Sequence, residues 1–305
     1  MATAPSGPRW VGFDMDECLG SFMPLWPFCD KIHEYVDMGE NVNAYLSAIA
    51  KRLAFSDRVW LLRPDLDPLL AALVQAKQTG KITGCFILTN NGSEYITEVV
   101  RKMLNYRAQA LISGTTSTLN SSFNLFSIFW TRKSPCRKKH GIFVKSIKCI
   151  QDCLATVGLP TINRINDLLF YDDSDHALAK EIPHYSKVKA YNHYTPVNLV
   201  FLEIKGVMQR FGIDQRTLDS IFKFAEALED KDLKENRELI PRPPSSSEKH
   251  EYSLVREFAH FLQGSPMGKS KGKTKGTKDT KGIRSTTRKN SPRYKSKTRR
   301  SGAKN

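Results

Sequence analysis

Asp14 and Asp16 stand two residues apart, directly after the apolar run Trp10–Phe13. Alternate side chains of an extended chain share a face, so both carboxylates can point one way while Met15 points the other. Two acids on one side of a strand end suit a metal-assisted reaction at the carboxyl edge of an α/β sheet. A strand running into an acidic turn would leave the same signature. A second acid pair, Asp172 and Asp173, follows the apolar run Leu168–Tyr171, and Thr89 and Asn90 end a third, Cys85–Leu88.

Each of these groups needs an element behind it. The three runs are short and apolar, as buried strands are, and Lys187–Tyr191 is a further candidate strand. Helical patterns separate them. Val42, Tyr45, Leu46, Ile49 and Leu53 recur at helical spacing, which makes 23–55 a small helical insertion after the first strand. Asp67 as N-cap, Pro68 as first residue and Gly80 as stop delimit the next helix. Another begins near Ser93, with Ile96, Val99, Val100 and Met103 on one side. A helix over 145–157 aligns Ile147, Ile150, Leu154 and Val157 and ends at Gly158. Such alternation predicts an α/β fold with a parallel sheet flanked by helices.

From Val197 the chain turns helical and acidic. Pro241–Ser247 has a linker's composition, and a last helix is expected near 248–262. Residues 108–130, rich in Ser, Thr and Asn and then aromatic, match no element by pattern. The expected organisation is a leader (1–8), an α/β domain (9–200), a helical extension (201–263) and a tail (264–305). Beyond Gly264 there is no Leu, Val, Phe or Trp. Such a tail cannot bury enough apolar surface to offset its chain entropy, so disorder is expected.

The net charge of +16 is concentrated in two places. Residues 269–305 hold 15 Lys/Arg and one Asp, and residues 99–151 hold 10 Lys/Arg and no acid, leaving −8 on the remainder. The tail is suited to bind nucleic acid through phosphate contacts or to serve as a nuclear-targeting signal, and a solvated tail is the plain alternative. The stretch 131–148 would attract an anionic substrate by its field, or be a solvated loop. The six cysteines (18, 29, 85, 136, 149 and 153) lack paired zinc-type spacing and read as reduced thiols of an intracellular protein. No run is long and apolar enough to span a bilayer, so no membrane partner is expected.

Taken in order, the polar strand ends resemble the motifs of the haloacid-dehalogenase-like (HAD) superfamily over roughly residues 8–200. Asp14-Met-Asp-Glu-Cys-Leu19 is similar to the Asp-x-Asp-Glu-Thr-Leu of its carboxy-terminal-domain (FCP/SCP-like) phosphatase branch, with Cys18 in place of Thr. Cys85–Asn90 resembles the second motif, Phe143-Val-Lys-Ser-Ile147 the third and Leu168–Ser174 the fourth. Arg132 and Cys136 echo an Arg-x-x-x-Cys upstream of the third.

The resemblance implies a Rossmann-like fold, with the insertion 23–55 where the family carries a flap or small cap; a helix that only packs on the core fits equally. It implies a Mg²⁺-dependent phosphatase in which Asp14 is the nucleophile and Asp16 the general acid and base. Asp14, the Asp16 backbone carbonyl and Asp173 would hold Mg²⁺. Asp172 would hold a metal-bound water or orient Asp173. Thr89, Asn90 and Lys145 would bind the phosphoryl group, although Lys138, Lys139 and Lys148 are near enough to compete for the last role. Asp175 and His176 fit a solvent-facing loop. The expected substrate is a phosphorylated protein or small molecule. A phosphatase of nucleotides or nucleic-acid ends, tethered by the tail, is a second reading. A binding or scaffold protein without turnover is a third.

Overall fold

The computed structural model describes residues 8–64, 66–113, 123–235, 239–249 and 254–263. The tail 264–305 and residues 1–7 lie outside these, as do 114–122 within the stretch that matched no element.

Five strands form one parallel sheet: β1 (Trp10–Phe13), β2 (Gly84–Leu88), β3 (Phe126–Trp130), β4 (Leu168–Asp172) and β5 (His184–Lys187). Their order is β3-β2-β1-β4-β5. The chain builds outward from β1 to one side and then returns to build on the other, so β1 and β4 meet at a topological switch point. In open parallel sheets this is where ligands bind, outside the carboxyl ends of the strands. Phe13 is in register with Ile87 of β2 and Tyr171 of β4, which brings the three strand ends level.

Alternation sorts the β1 side chains into two cores. Val11 and Phe13 join Ile87, Tyr171 and the larger set of helices; Trp10 joins Phe86, Leu88, Leu168 and Phe170 on the other face. Gly12 shares that second face. A Cβ there would stand 2.4 Å from the Phe170 ring and 2.5 Å from that of Phe86. The rings close over the central strand only because the side chain is missing.

Short helical turns follow β1: 3-10 turns at Met23–Leu25, Lys31–Glu34 and Gly39–Asn41, and α1 (Trp26–Cys29). Then come α2 (Val42–Ala54), α3 (Leu66–Gln78), α4 (Glu94–Ser113), α5 (Pro135–Lys138), α6 (Ile147–Thr156) and α7 (Leu178–Glu181). The chain continues with α8 (Val197–Arg210), α9 (Gln215–Glu235), α10 (Ser246–Lys249) and α11 (Val255–Leu262). The insertion is helical as expected. Its main helix, α2, packs on α4 and α8 and buries Tyr45, Leu46, Ile49 and Leu53 in the larger core. The extension shares that core too: Ile204 of α8, Leu218 of α9 and Phe258 and Phe261 of α11 lie in the same cluster as Val11 and Phe13.

Several local expectations shift. α3 begins at Leu66, so Asp67 sits in its first turn and takes Arg107 Nε of α4 at 2.7 Å instead of capping. β3 occupies the end of the stretch that pattern left unassigned. The last strand is His184–Lys187 instead of Lys187–Tyr191. Val188 donates to the Asp172 carbonyl at 2.8 Å, and the chain then crosses to Glu17, whose carbonyl takes the Tyr191 N–H. Cys136 and Cys153 form a disulfide between α5 and α6, against the expectation of six thiols; Cys18, Cys29, Cys85 and Cys149 are free and buried. Proximity of two helix faces made that pair, and a separation of 17 residues carries no motif. Among the described residues no helix is long and apolar enough to cross a membrane.

Candidate active site

Asp14 is the first residue beyond β1, and its N–H continues the ladder by donating to the Tyr171 carbonyl at 2.8 Å. Met15 turns into the core, fully buried. The chain then folds back within four residues. Glu17 adopts φ +62°, Leu19 N–H returns to the Met15 carbonyl and Glu17 N–H to that of Gly20. Gly20 is required by close approach: the Leu61 carbonyl oxygen lies 2.0 Å from where a Cβ would stand. Arg63, 2% exposed, pins this loop, donating to the carbonyls of Cys18 (2.6 Å), Glu17 (2.8 Å) and Lys189 (2.6 Å). Cys18 faces the apolar core, where burial pushes its thiol well above the ordinary range.

Lys145 lies two residues before α6, beside the N-cap Ser146, whose hydroxyl takes the Cys149 N–H at 3.2 Å. Its ammonium is completely buried, 3.0 Å from Asp14 Oδ2 and 2.8 Å from Asp172 Oδ2. Lys138, Lys139 and Lys148 are exposed. Of the four lysines considered, Lys145 alone is held between the acids. Burial by itself would lower its pKa, but Asp14 and Asp172 reverse this and raise it.

Asp14, Asp172 and Asp173 each offer a carboxylate oxygen within 4.8 Å of the others. The two oxygens of Asp172 are engaged, one by Lys145 and one by the Ser174 N–H at 3.0 Å. Asp173 accepts the Ser174 hydroxyl on Oδ2 at 3.0 Å. Asp14 Oδ1 is buried with no hydrogen-bond partner. An orphaned carboxylate oxygen beside two more acids fits a hard divalent cation, which prefers oxygen ligands. Burial raises Asp14, Asp172 and Asp173 above the usual carboxylate range; Lys145 pulls the first two back, and Asp14 pushes Asp173 further up. The structure thus groups Asp172 with the expected ligands while also giving it to Lys145.

The Asp16 carboxylate stays out of this cluster. Its Oδ2 accepts the Asn91 side-chain N–H at 3.0 Å, and burial pushes its pKa up to about 7 against the pull of that hydrogen bond. Thr89 is 1% exposed, held by its N–H on the Trp130 carbonyl of β3, and its hydroxyl accepts the Asn91 N–H; both distances are 3.0 Å. Asn90 turns its side-chain oxygen to Arg137 at 2.8 Å. Thr89 and Asn90 follow the end of β2, while Lys145 lies between Asp14, at the end of β1, and Asp172, at the end of β4.

Sequence reasoning missed Asn91 and Arg137. Asn91 lay in view as the second Asn of Thr-Asn-Asn-Gly, while Arg137 was hidden in a run of cations. His176 also departs from the expected solvent-facing loop: its Nε2 lies 3.6 Å from Asp172 Oδ2. Asp175 does face solvent, paired with Lys187. Arg132 packs against Gly92. No protein-family model matches the chain, and neither a curated protein nor a solved structure matches it.

Proposed function

We propose that the protein is a HAD-like, Mg²⁺-dependent phosphatase that hydrolyses phosphoric monoesters through an aspartyl-phosphate on Asp14. One observation carries this reading. A fully buried lysine bridges Asp14 and Asp172 at the switch point of a parallel sheet, and leaves the second oxygen of Asp14 unpartnered.

Lys145 holds the Asp14 carboxylate in place through Oδ2. An Asp14 carboxylate oxygen bonds to phosphorus as the ester P–O bond breaks. Asp16, poised near neutrality, gives its proton to the departing alkoxide oxygen. Thr89 and the Asn90 N–H face the phosphoryl oxygens as fixed donors, and Lys145 offsets their charge. In the second step the Asp16 carboxylate takes a proton from water, whose oxygen bonds to phosphorus. The P–O bond to Asp14 breaks, and inorganic phosphate leaves. Mg²⁺, when held by Asp14, Asp173 and the Asp16 carbonyl, supplies charge neutralisation and polarises the phosphoryl oxygens. An anionic substrate is also favoured by the charge of Lys133, Lys138 and Lys139, which are exposed in the same chain segment as Arg137 and Lys145.

Turnover of p-nitrophenyl phosphate tests the proposal. Asp14→Asn is expected to lower kcat by about 10⁴-fold or more, as loss of a nucleophile does, and to abolish acid-stable labelling by a ³²P-phosphoryl donor. Near-normal turnover in that variant, or undiminished turnover in excess chelator, rejects it.

A further inference from the structure

Arg137 is fully buried, yet no carboxylate lies within 4.0 Å of it among the described residues. A buried cation without an ion pair is costly and is retained only where something uses it. Its partners indicate the use. Nη1 donates to the Thr89 carbonyl, while Nη2 donates to Asn90 Oδ1 at 2.8 Å and to the Val144 carbonyl at 3.2 Å. Thr89 and Asn90 form the turn after β2, and Val144 directly precedes Lys145. One guanidinium thus joins the two backbone segments that carry the three phosphate-binding groups.

We propose that Arg137 is a positioning residue that sets the spacing between the Thr89–Asn90 turn and Lys145, so that both close on the same phosphoryl group. The proposal rests on the phosphatase reading above. The planar fork matters as much as the charge. Arg presents donors in fixed directions and can hold two segments at once, whereas a lysine ammonium is a point charge on a flexible stem. Arg137 is itself anchored. It follows Cys136, whose disulfide to Cys153 ties α5 to α6, and its N–H returns to the Ser134 carbonyl at 3.0 Å. Displacement of the turn by about 1 Å would cost on the order of 100-fold in rate. The acids, held by Lys145 and Ser174, would keep their arrangement.

The test uses the full chain as Arg137→Lys and Arg137→Met beside the wild type. Three experiments are run: affinity for inorganic phosphate by calorimetry, kcat and KM on p-nitrophenyl phosphate, and the rise in melting temperature with Mg²⁺. Both variants are expected to lose about 10- to 100-fold in kcat and about 10-fold in phosphate affinity. Arg137→Lys should behave more like Arg137→Met than like wild type, and the Mg²⁺-dependent rise should be preserved. In a third variant, Arg137→Ala, millimolar guanidinium should restore part of the activity. Wild-type phosphate affinity in Arg137→Lys overturns the role of the fork. Loss of the Mg²⁺ response together with phosphate affinity also overturns it, by making Arg137 a general support of the fold. If Arg137→Met does not fold, Arg137→Lys carries the comparison. A wild-type chain that hydrolyses no ester, yet binds phosphate in a way that depends on Arg137, rejects the phosphatase reading and leaves this one standing.

Discussion

The two flanks of β1 at the carboxyl edge are built from opposite chemistry. On the β2 side stand neutral polar groups and a cation: Thr89, Asn90, Asn91 and Arg137, linked to one another and to nearby main-chain groups by hydrogen bonds. On the β4 side stand Asp172 and Asp173, with Asp14 between the flanks, and a single lysine serves two of these three acids. Neither flank is at ease. On the donor flank burial lowers the Arg137 pKa, and its Nε has no partner. On the acid flank burial raises all three carboxyls, and one Asp14 oxygen has no partner. The two sides thus carry buried charge of opposite sign, negative where a cation fits and positive where an anion fits.

The sharpest way to break this asymmetry is Lys145→Met. It leaves Asp14 and Asp172 buried with no cation between them, a loss of about 3–5 kcal/mol. The loss should be greater at pH 8 than at pH 5, where protons relieve the acids, and urea unfolding at the two pH values reads the difference.

On the donor flank the support is covalent. Reducing the Cys136–Cys153 bond, or replacing both residues by Ser, is expected to cost about 2–4 kcal/mol. Denaturation midpoints with and without reductant check this, since the Ser pair should be insensitive to reductant. An equal response in both chains would mean that the bond does not form in solution.

Mg²⁺ should act on the acid flank alone. The folded pKa values of Asp14, Asp172 and Asp173 are raised, so the folded state binds more protons than the unfolded chain above about pH 4. Stability without metal therefore falls as pH rises through that window. At about 100 times its dissociation constant a ligand adds about 2.7 kcal/mol, and here the gain should be larger at pH 7.5 than at pH 5.5, where protons compete. Asp173→Asn should abolish the rise in melting temperature, and Thr89→Val should keep it.

The smallest effect concerns Asn91, which joins the donor flank to Asp16. Its hydrogen bond favours the carboxylate, so Asn91→Ala should raise Asp16 above about 7 by up to roughly one unit. In the proposed mechanism Asp16 must be protonated for the first step, so the high-pH limb of the kcat/KM profile should move upward. A limb that stays in place, or moves down, assigns it to another group.

How legible this edge was in the chain differs between the same two flanks. β1, β2 and β4 are apolar runs with polar ends, so their residues could be read off directly. β3 and β5 lie at the sheet's edges, where burial on both faces is not required. Phe126–Trp130 has buried ends and a partly exposed middle, and His184-Tyr-Ser-Lys187 is polar enough to pass for a loop. Lys145 needed the family resemblance, because its neighbours are equally basic. Arg137 was beyond pattern. Nothing in Cys-Arg-Lys-Lys distinguishes the one cation that turns inward, since its acceptors are carbonyls supplied by segments 48 and 7 residues away. The disulfide was hidden for a related reason: helix packing brings its partners together.

The last helix has a consequence for biosynthesis. All five strands are complete by Lys187, yet the buried Tyr171 hydroxyl of β4 finds its acceptor in the Leu254 carbonyl at 2.9 Å, and Arg9 reaches the Phe261 carbonyl. A ribosome adding about 5–20 residues per second needs roughly 4–15 s to cover the 75 residues from Lys187 to Leu262. Throughout that interval the nascent sheet lacks the phenylalanines that close its larger face, and it leaves the strand that carries Asp172 with an unsatisfied phenol. The chain should therefore engage chaperones most strongly after all five strands have been synthesised, and release them only as α11 emerges.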